Sequence, residues 1–267
     1  MRYEIMQPGA FAFLKVQLEA GESIKAESDA MMAMSGNIKV EGKMEGGMLG
    51  GLARKFLSGE SLFFQHLTAQ GQAGEAVLAP PIPGDVSAYE LTGNTLCITS
   101  GGFLAAEESV KIETKMQNLG KGLFSGAGLF VVKASGTGTL FFNSFGAIYP
   151  LELQVGEEMV VDTGHLVAWD ADMNYKVTKA SSGIMSSLTS GEMLVCKFTG
   201  PGKVYTQSRN PGSFGCWVGV VLFHHRANKI TIKAQTILVC AFYYEKTENG
   251  LTIIFRKLII DIEYIIR

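Results

Sequence analysis

The chain has 267 residues, and its 23 Lys and Arg stand against 25 Asp and Glu for a formal net charge of −2. That balance gives no global pull toward nucleic acid, and no apolar run reaches the roughly 18 residues that a membrane-spanning helix needs. With 32 glycines and 16 phenylalanines and no long helical periodicity, the chain reads as many short strands joined by tight turns.

In chain order, a first half-motif runs from Leu18 to Glu22 and closes on Lys39. Its string Ile38-Lys39-Val40-Glu41 alternates apolar and polar residues, as a half-buried strand does. The apolar pair Leu52 and Phe56 then has the i, i+4 spacing of a short helical turn. Ser58-Gly59-Glu60-Ser61-Leu62 follows, and Gly71 and Gly74 mark a hairpin-like reversal.

The same order returns twice. Leu91 to Gly93, Val110-Lys111-Ile112-Glu113, Leu119 and Leu123, Ser125-Gly126-Ala127-Gly128-Leu129, and Gly136 with Gly138 make the second round. Leu153 to Glu157, Tyr175-Lys176-Val177-Thr178, Ile184 and Leu188, Ser190-Gly191-Glu192-Met193-Leu194, and Gly200 with Gly202 make the third. A shared Ser-Gly-x-x-Leu thus recurs at intervals of 67 and 65 residues. Such a period defines architecture before chemistry. The expected fold is all-β, with three tandem repeats of about 65 residues spanning about 12–80, 88–148 and 151–217 and sharing one interior as a single domain over 1–217.

The tail, 218–267, differs from the rest. Ten isoleucines lie in these 50 residues against eight in the first 217, and its charge is +3 against −5 for the remainder. Ile230-Thr231-Ile232-Lys233 alternates, and Asn249-Gly250 is a hairpin signal between Thr236–Tyr244 and Leu251–Ile260. Two readings stand side by side: a C-terminal β hairpin extending the fold, or an out-of-frame or fused segment that is strand-prone. Cys97, Cys196, Cys216 and Cys240 are scattered without Cys-x-x-Cys spacing, and the opening residues lack a secretory h-region. A reducing cytoplasm is the expected setting.

Candidate chemistry is sparse. His165, with Asp162, Asp170 and Asp172 nearby, is the best metal candidate, yet Asp-Thr-Gly-His is also ordinary turn chemistry. His66 is isolated. His224 and His225 are adjacent, so on a strand they face opposite ways. Ser58, Ser125 and Ser190 recur in every unit, which a repeated structural demand explains better than one active site. Gly46-Gly47-Met48-Leu49-Gly50-Gly51 and Gly120-Lys121-Gly122 could cradle an anion beside Lys121, Arg54 and Lys55, but their equivalent repeat positions favour tight packing near an axis. Met48, Leu49, Leu52, Phe56 and Leu57 around Arg54-Lys55 could form a short amphipathic helix that lies at a lipid surface or equally caps the sheet. No Gly-x-Ser-x-Gly, His-Glu-x-x-His or Walker-type string occurs. No catalytic, cofactor-binding or metal residue is therefore assigned.

The opening Met1 to Glu22, Ala30-Met31-Met32-Ala33-Met34, Gly46-Gly47 through Ser61-Leu62-Phe63, and Gly164-His165-Leu166-Val167-Ala168-Trp169-Asp170 resemble the mitochondrial biogenesis family. That family is named for altered inheritance of mitochondria in yeast, and its many bacterial members are uncharacterised. The resemblance covers 1 to about 217. It implies a fold similar to the tryptophan RNA-binding attenuation protein, with three sheets about a pseudo-threefold axis, and homo-oligomerisation. Eukaryotic relatives are tied to mitochondrial inner-membrane organisation; no site residue carries over. RNA binding follows only as fold analogy and fits an acidic body poorly.

The expected function is a non-enzymatic, cytoplasmic, homo-oligomeric scaffold or interaction protein, with a protein partner or a membrane surface near it. Small-molecule binding in clefts between repeats is the alternative. A metal-dependent enzyme of double-stranded β-helix type is a third reading, and its clustered ligands are missing from the sequence.

Overall fold

The computed structural model describes residues 1–44, 63–99, 101–117, 129–179 and 194–224. These are mostly strands, as glycine-punctuated alternation requires. The stretch 1–78 contains β1 (Arg2–Met6), β2 (Phe13–Leu18), β3 (Ser23–Glu27), β4 (Met31–Met34), β5 (Ile38–Met44), β6 (Phe63–Ala69) and β7 (Gly74–Leu78). The stretch 86–143 contains β8 (Val86–Thr99), β9 (Phe103–Glu107), β10 (Lys111–Gln117) and β11 (Leu129–Asn143). The stretch 148–207 contains β12 (Ile148–Leu153), β13 (Glu158–Asp162), β14 (Leu166–Asp170), β15 (Asn174–Lys179), β16 (Leu194–Thr199) and β17 (Gly202–Gln207).

All ladders are antiparallel. In the first stretch β2 pairs β7, β7 pairs β4, β5 pairs β6 and β6 pairs β3. In the second, the first half of β8 pairs the second half of β11, which also pairs β9; the first half of β11 pairs β10 and the second half of β8. In the third, β12 pairs β17, β17 pairs β14, β15 pairs β16 and β16 pairs β13. Two further ladders join neighbouring stretches, β3 with β9 and β8 with β14. β1 adds to the outer edge of β2.

The resulting sheets have four, ten and three strands. Their inner faces form three apolar clusters, centred on Leu14, Leu67 and Leu78, on Phe103, Leu140 and Phe142, and on Trp169, Phe198 and Val204. Between the linkers that follow β7 and β11, Gly84 and Gly146 form an isolated parallel bridge. A Cβ on Gly84 would strike the Ser144 carbonyl, so only glycine fits there.

Three expectations change. The glycine pairs after each recurring string are not hairpin reversals: β6 and β7 lie in different sheets, and so do β16 and β17. Gly136 and Gly138 lie inside the continuous β11, beside a register shift between Ser135 and Thr137. Positive φ of +108° and +141° at these two lets the strand bend from one ladder to another without turning back. Next, Lys39 and Lys111 occupy matching places, opposite Thr68 and Ser135. The third string is offset by two, because Asn174 rather than Lys176 lies opposite Thr199.

The last change concerns the C-terminal boundary at 217. It falls within helix α1 (Pro211–His224), so Val218 to His224 is helical rather than strand, and His224 belongs to a helix. Pro211 at the first helical position is pre-set for that conformation, and the ring of Phe214 stacks on Trp217 at 5.9 Å. α1 belongs to the second of two compact units. The C-terminal hairpin expected over Thr236–Ile260 lies outside the described residues.

Candidate functional site

Two clefts flank the two ladders that join neighbouring stretches. The first, of about 560 Å³, is lined by Lys25 and by Glu108 to Glu113. β3 sends Ile24 and Ala26 into the first apolar cluster, so alternation turns Lys25 to the other face. There Lys25 is buried, and its Nζ donates to the Val110 carbonyl at 2.8 Å. Lys25 stands opposite His66 on one side and Ala106 on the other. His66 is buried, its Nδ1 is 2.5 Å from Glu108 Oε1, and its Nε2 finds no hydrogen-bond partner among the described residues. At the rim Lys111 pairs with Glu113 at 2.6 Å.

The second cleft, of about 540 Å³, is lined by Tyr89, Glu152, Asp170, Lys203 and Tyr205 among others. Tyr89 donates to Asp170 Oδ1 at 3.0 Å and accepts from Asn94 at 2.7 Å. The Lys203 backbone N–H donates to Asp170 Oδ2 at 2.8 Å. Burial, and then the Asp170 carboxylate, push the Tyr89 phenol well above its ordinary range; the Tyr205 phenol is pushed up in the same way. Both carboxylate oxygens of Asp170 are thus engaged in holding strands together. The phenols stay neutral at physiological pH and serve as hydrogen-bonding and stacking surfaces, with Tyr89 and Tyr205 edge to face at 6.2 Å.

The residues singled out from sequence separate accordingly. His165 closes a single 3-10 turn, Thr163–His165, where its Nδ1 is 2.8 Å from the Gln207 carbonyl. Asp162 caps that turn by accepting from the Gly164 N–H. These are the turn roles expected as the alternative to metal binding. Among the described residues, no group of three or more His, Cys, Asp and Glu side chains is placed to hold a metal. Ser58, Ser125, Ser190, the two glycine clusters, Arg54, Lys55, Lys121 and the apolar segment from Met48 to Leu57 lie outside the described residues. Sequence reading passed over Lys25 and Tyr89; a lysine between two apolar residues of a strand, Ile24 and Ala26, was the available signal.

Buried free thiols complete the picture. Burial pushes Cys97 up to about 11 and Cys196 up to about 12, which makes both poor nucleophiles. Among the described residues no helix is long and apolar enough to cross a membrane.

The fold and its clefts define an all-β protein of joined sheets. The family model of mitochondrial biogenesis AIM24 matches residues 3–209, and the chain belongs to that family. It is similar to an uncharacterised protein of Streptococcus pyogenes serotype M6, with 34% identity over 221 residues, covering 80% of this chain and 88% of the relative. It is also similar to an X-ray crystal structure of a Streptococcus pyogenes protein, with TM-score 0.66 and 33% identity over 80% of this chain and 95% of that one.

Proposed function

We propose that this chain is a non-enzymatic β scaffold, built from three tandem copies of one six-strand unit, which assembles with further copies of itself and works in the cytoplasm as an interaction platform. Support for tandem copies comes from the pairings: strand for strand, 13–78, 86–143 and 148–207 follow one scheme. The one-residue register shift between Met31 and Ala33 also has counterparts at Phe103/Ala105 and Leu166/Ala168. Among the described residues two ladders, β3–β9 and β8–β14, join the copies, and no ladder joins the third copy to the first.

The observation that carries self-assembly is β4. All four of its residues are exposed, three of them methionines, in a protein whose other strands of that position are buried. Native mass spectrometry of the full-length protein tests the reading. A clean multiple of 28.8 kDa is expected, and a ligand-free monomer would overturn it.

A second reading, small-molecule binding between the units, rests on buried Lys25 beside an open cleft of about 560 Å³. A stoichiometric mass excess over the clean multiple would move it to first place. Proximity to a membrane rests on the sequence pattern from Met48 to Leu57, and replacing Leu52 and Phe56 by Asp should then abolish sedimentation with liposomes.

A further inference from the structure

Inside the chain one kind of junction is made twice. β3 pairs β9 with Lys25 opposite Ala106 and Ala26 opposite Ala105. β8 pairs β14 with Cys97 opposite Trp169 and Ile98 opposite Ala168. The two ladders have the same register: Lys25 and Cys97 lie across from His66 and Lys133 on the strand behind, and Ala106 and Trp169 lie across from Leu140 and Val204 on the strand in front. A donor strand of one unit thus meets an acceptor strand of the next.

Among the described residues the third donor strand, β13, and the first acceptor strand, β4, have no such neighbour; each ends its sheet. Their burial changes to match. The first four residues of β9 and of β14 are buried, whereas all four of β4 are exposed. Ile24, Lys25 and Ala26 are buried in β3, and Leu96, Cys97 and Ile98 in β8, whereas only Val161 is buried in β13. Yet both free edges keep apolar residues: Met31, Met32 and Met34 are 39%, 55% and 40% exposed, and Val160 is 59% exposed. An uncovered apolar edge invites strand addition.

Resting on the self-assembly reading above, we propose that β13 of one copy pairs antiparallel with β4 of a second copy, repeating the internal junction between molecules. Carrying the internal register over places Val160 opposite Met34 and Val161 opposite Ala33. The occupant is a second copy because the chain itself twice builds the complementary edge, in one register, and leaves one of each kind over. The contact is head to tail, so every added copy again presents a free β4 and a free β13, and assembly continues until a ring closes or a filament forms.

The test uses the full-length chain. Met34→Cys and Val160→Cys proteins, prepared separately, are mixed and oxidised. Directly opposed residues in an antiparallel pair lie about 4.5–5.5 Å apart at Cα, within disulfide reach. The expected product is a disulfide-linked dimer in which peptide mass spectrometry finds residue 34 joined to residue 160, and which is scarce when Met32→Cys replaces Met34→Cys. A cross-link found only within single molecules of the doubly substituted chain would mean that the two edges close on each other, and would overturn the proposal. A second measurement uses charge. Val160→Asp and Met34→Lys should each reduce the native mass to 28.8 kDa with unchanged far-ultraviolet circular dichroism, and mixing the two should restore a complex. If the unaltered protein is a clean multiple but neither experiment responds, self-assembly stands and this interface falls; if it is a monomer, both fall.

Discussion

The two internal junctions have one register and opposite linings. At β8–β14, Trp169 is fully buried and packs against Tyr175 at 5.2 Å and Phe198 at 5.9 Å, with Cys97 across the ladder. At β3–β9 the matching place is Ala106, and a lysine stands where Cys97 does. Backbone hydrogen bonds therefore set the geometry of a junction, while side chains decide whether the face carrying Lys25 or Cys97 becomes polar cleft or apolar core. Removing the volume of an indole leaves room for an ammonium group and for the cleft of about 560 Å³ around it.

The same contrast appears two residues on. Thr99, at the end of the donor part of β8, donates to the Leu166 and Val167 carbonyls, both at 3.1 Å. Glu27, at the end of β3, has a buried Oε2 without a hydrogen-bond partner among the described residues. Burial, followed by the charge of Asp29, raises its carboxyl above the ordinary value.

Breaking the dry junction should cost the most. Trp169→Ala is expected to lose about 3–5 kcal/mol, read from urea unfolding, because a fully buried aromatic leaves a cavity that strands cannot close. At the polar junction, Lys25→Ala should cost about 1–3 kcal/mol, since the Val110 carbonyl loses the ammonium donor. If Lys25→Ala proved as costly as Trp169→Ala, the distinction between dry and polar junctions would fail. Tyr89→Phe should lose about 0.5–1.5 kcal/mol with the hydrogen bond to Asp170, measured in the same way.

The smallest effect depends on pH. Because the folded state raises the Glu27 carboxyl, folding favours its protonated form. That contribution is present at low pH and is lost as pH rises from the unfolded value through the folded one. Glu27→Gln should therefore raise the thermal midpoint at pH 7 and change it little below the ordinary carboxylate range. An equal gain at both pH values would remove the titration from the explanation.

Much of this architecture was legible in residue order. The recurring strings fall at equivalent strand positions: Leu129 and Leu194 open β11 and β16, and β6 opens directly after Leu62. Two half-motifs fall on the turns that contain Gly21 and Gly156 and the middle one falls inside β8 at Gly93, and all three glycines have positive φ. Glu22 and Glu157 each accept from the N–H three residues earlier in their turns. What failed was local geometry read as global direction. Gly71 and Gly74 read as a hairpin because a bend and a reversal use the same residues. His224, weighed as a strand residue, lies in α1, because a short apolar run suits helix and buried strand alike.

The amino-acid order by itself determined that this chain folds from strands, since alternation and glycine spacing act within a few residues. It also fixed the tandem recurrence of the short strings and the absence of any motif for metal or nucleophile chemistry. Only the tertiary structure decided which strand lies beside which, and therefore that Lys25 sits in a cleft while Cys97 sits in core. It likewise decided that β4 and β13, a first acceptor and a last donor, end their sheets among the described residues. Those outcomes depend on ladders between residues some 70–80 positions apart, such as Lys25 with Ala106 and Cys97 with Trp169, and pairing over that distance leaves no mark on local pattern.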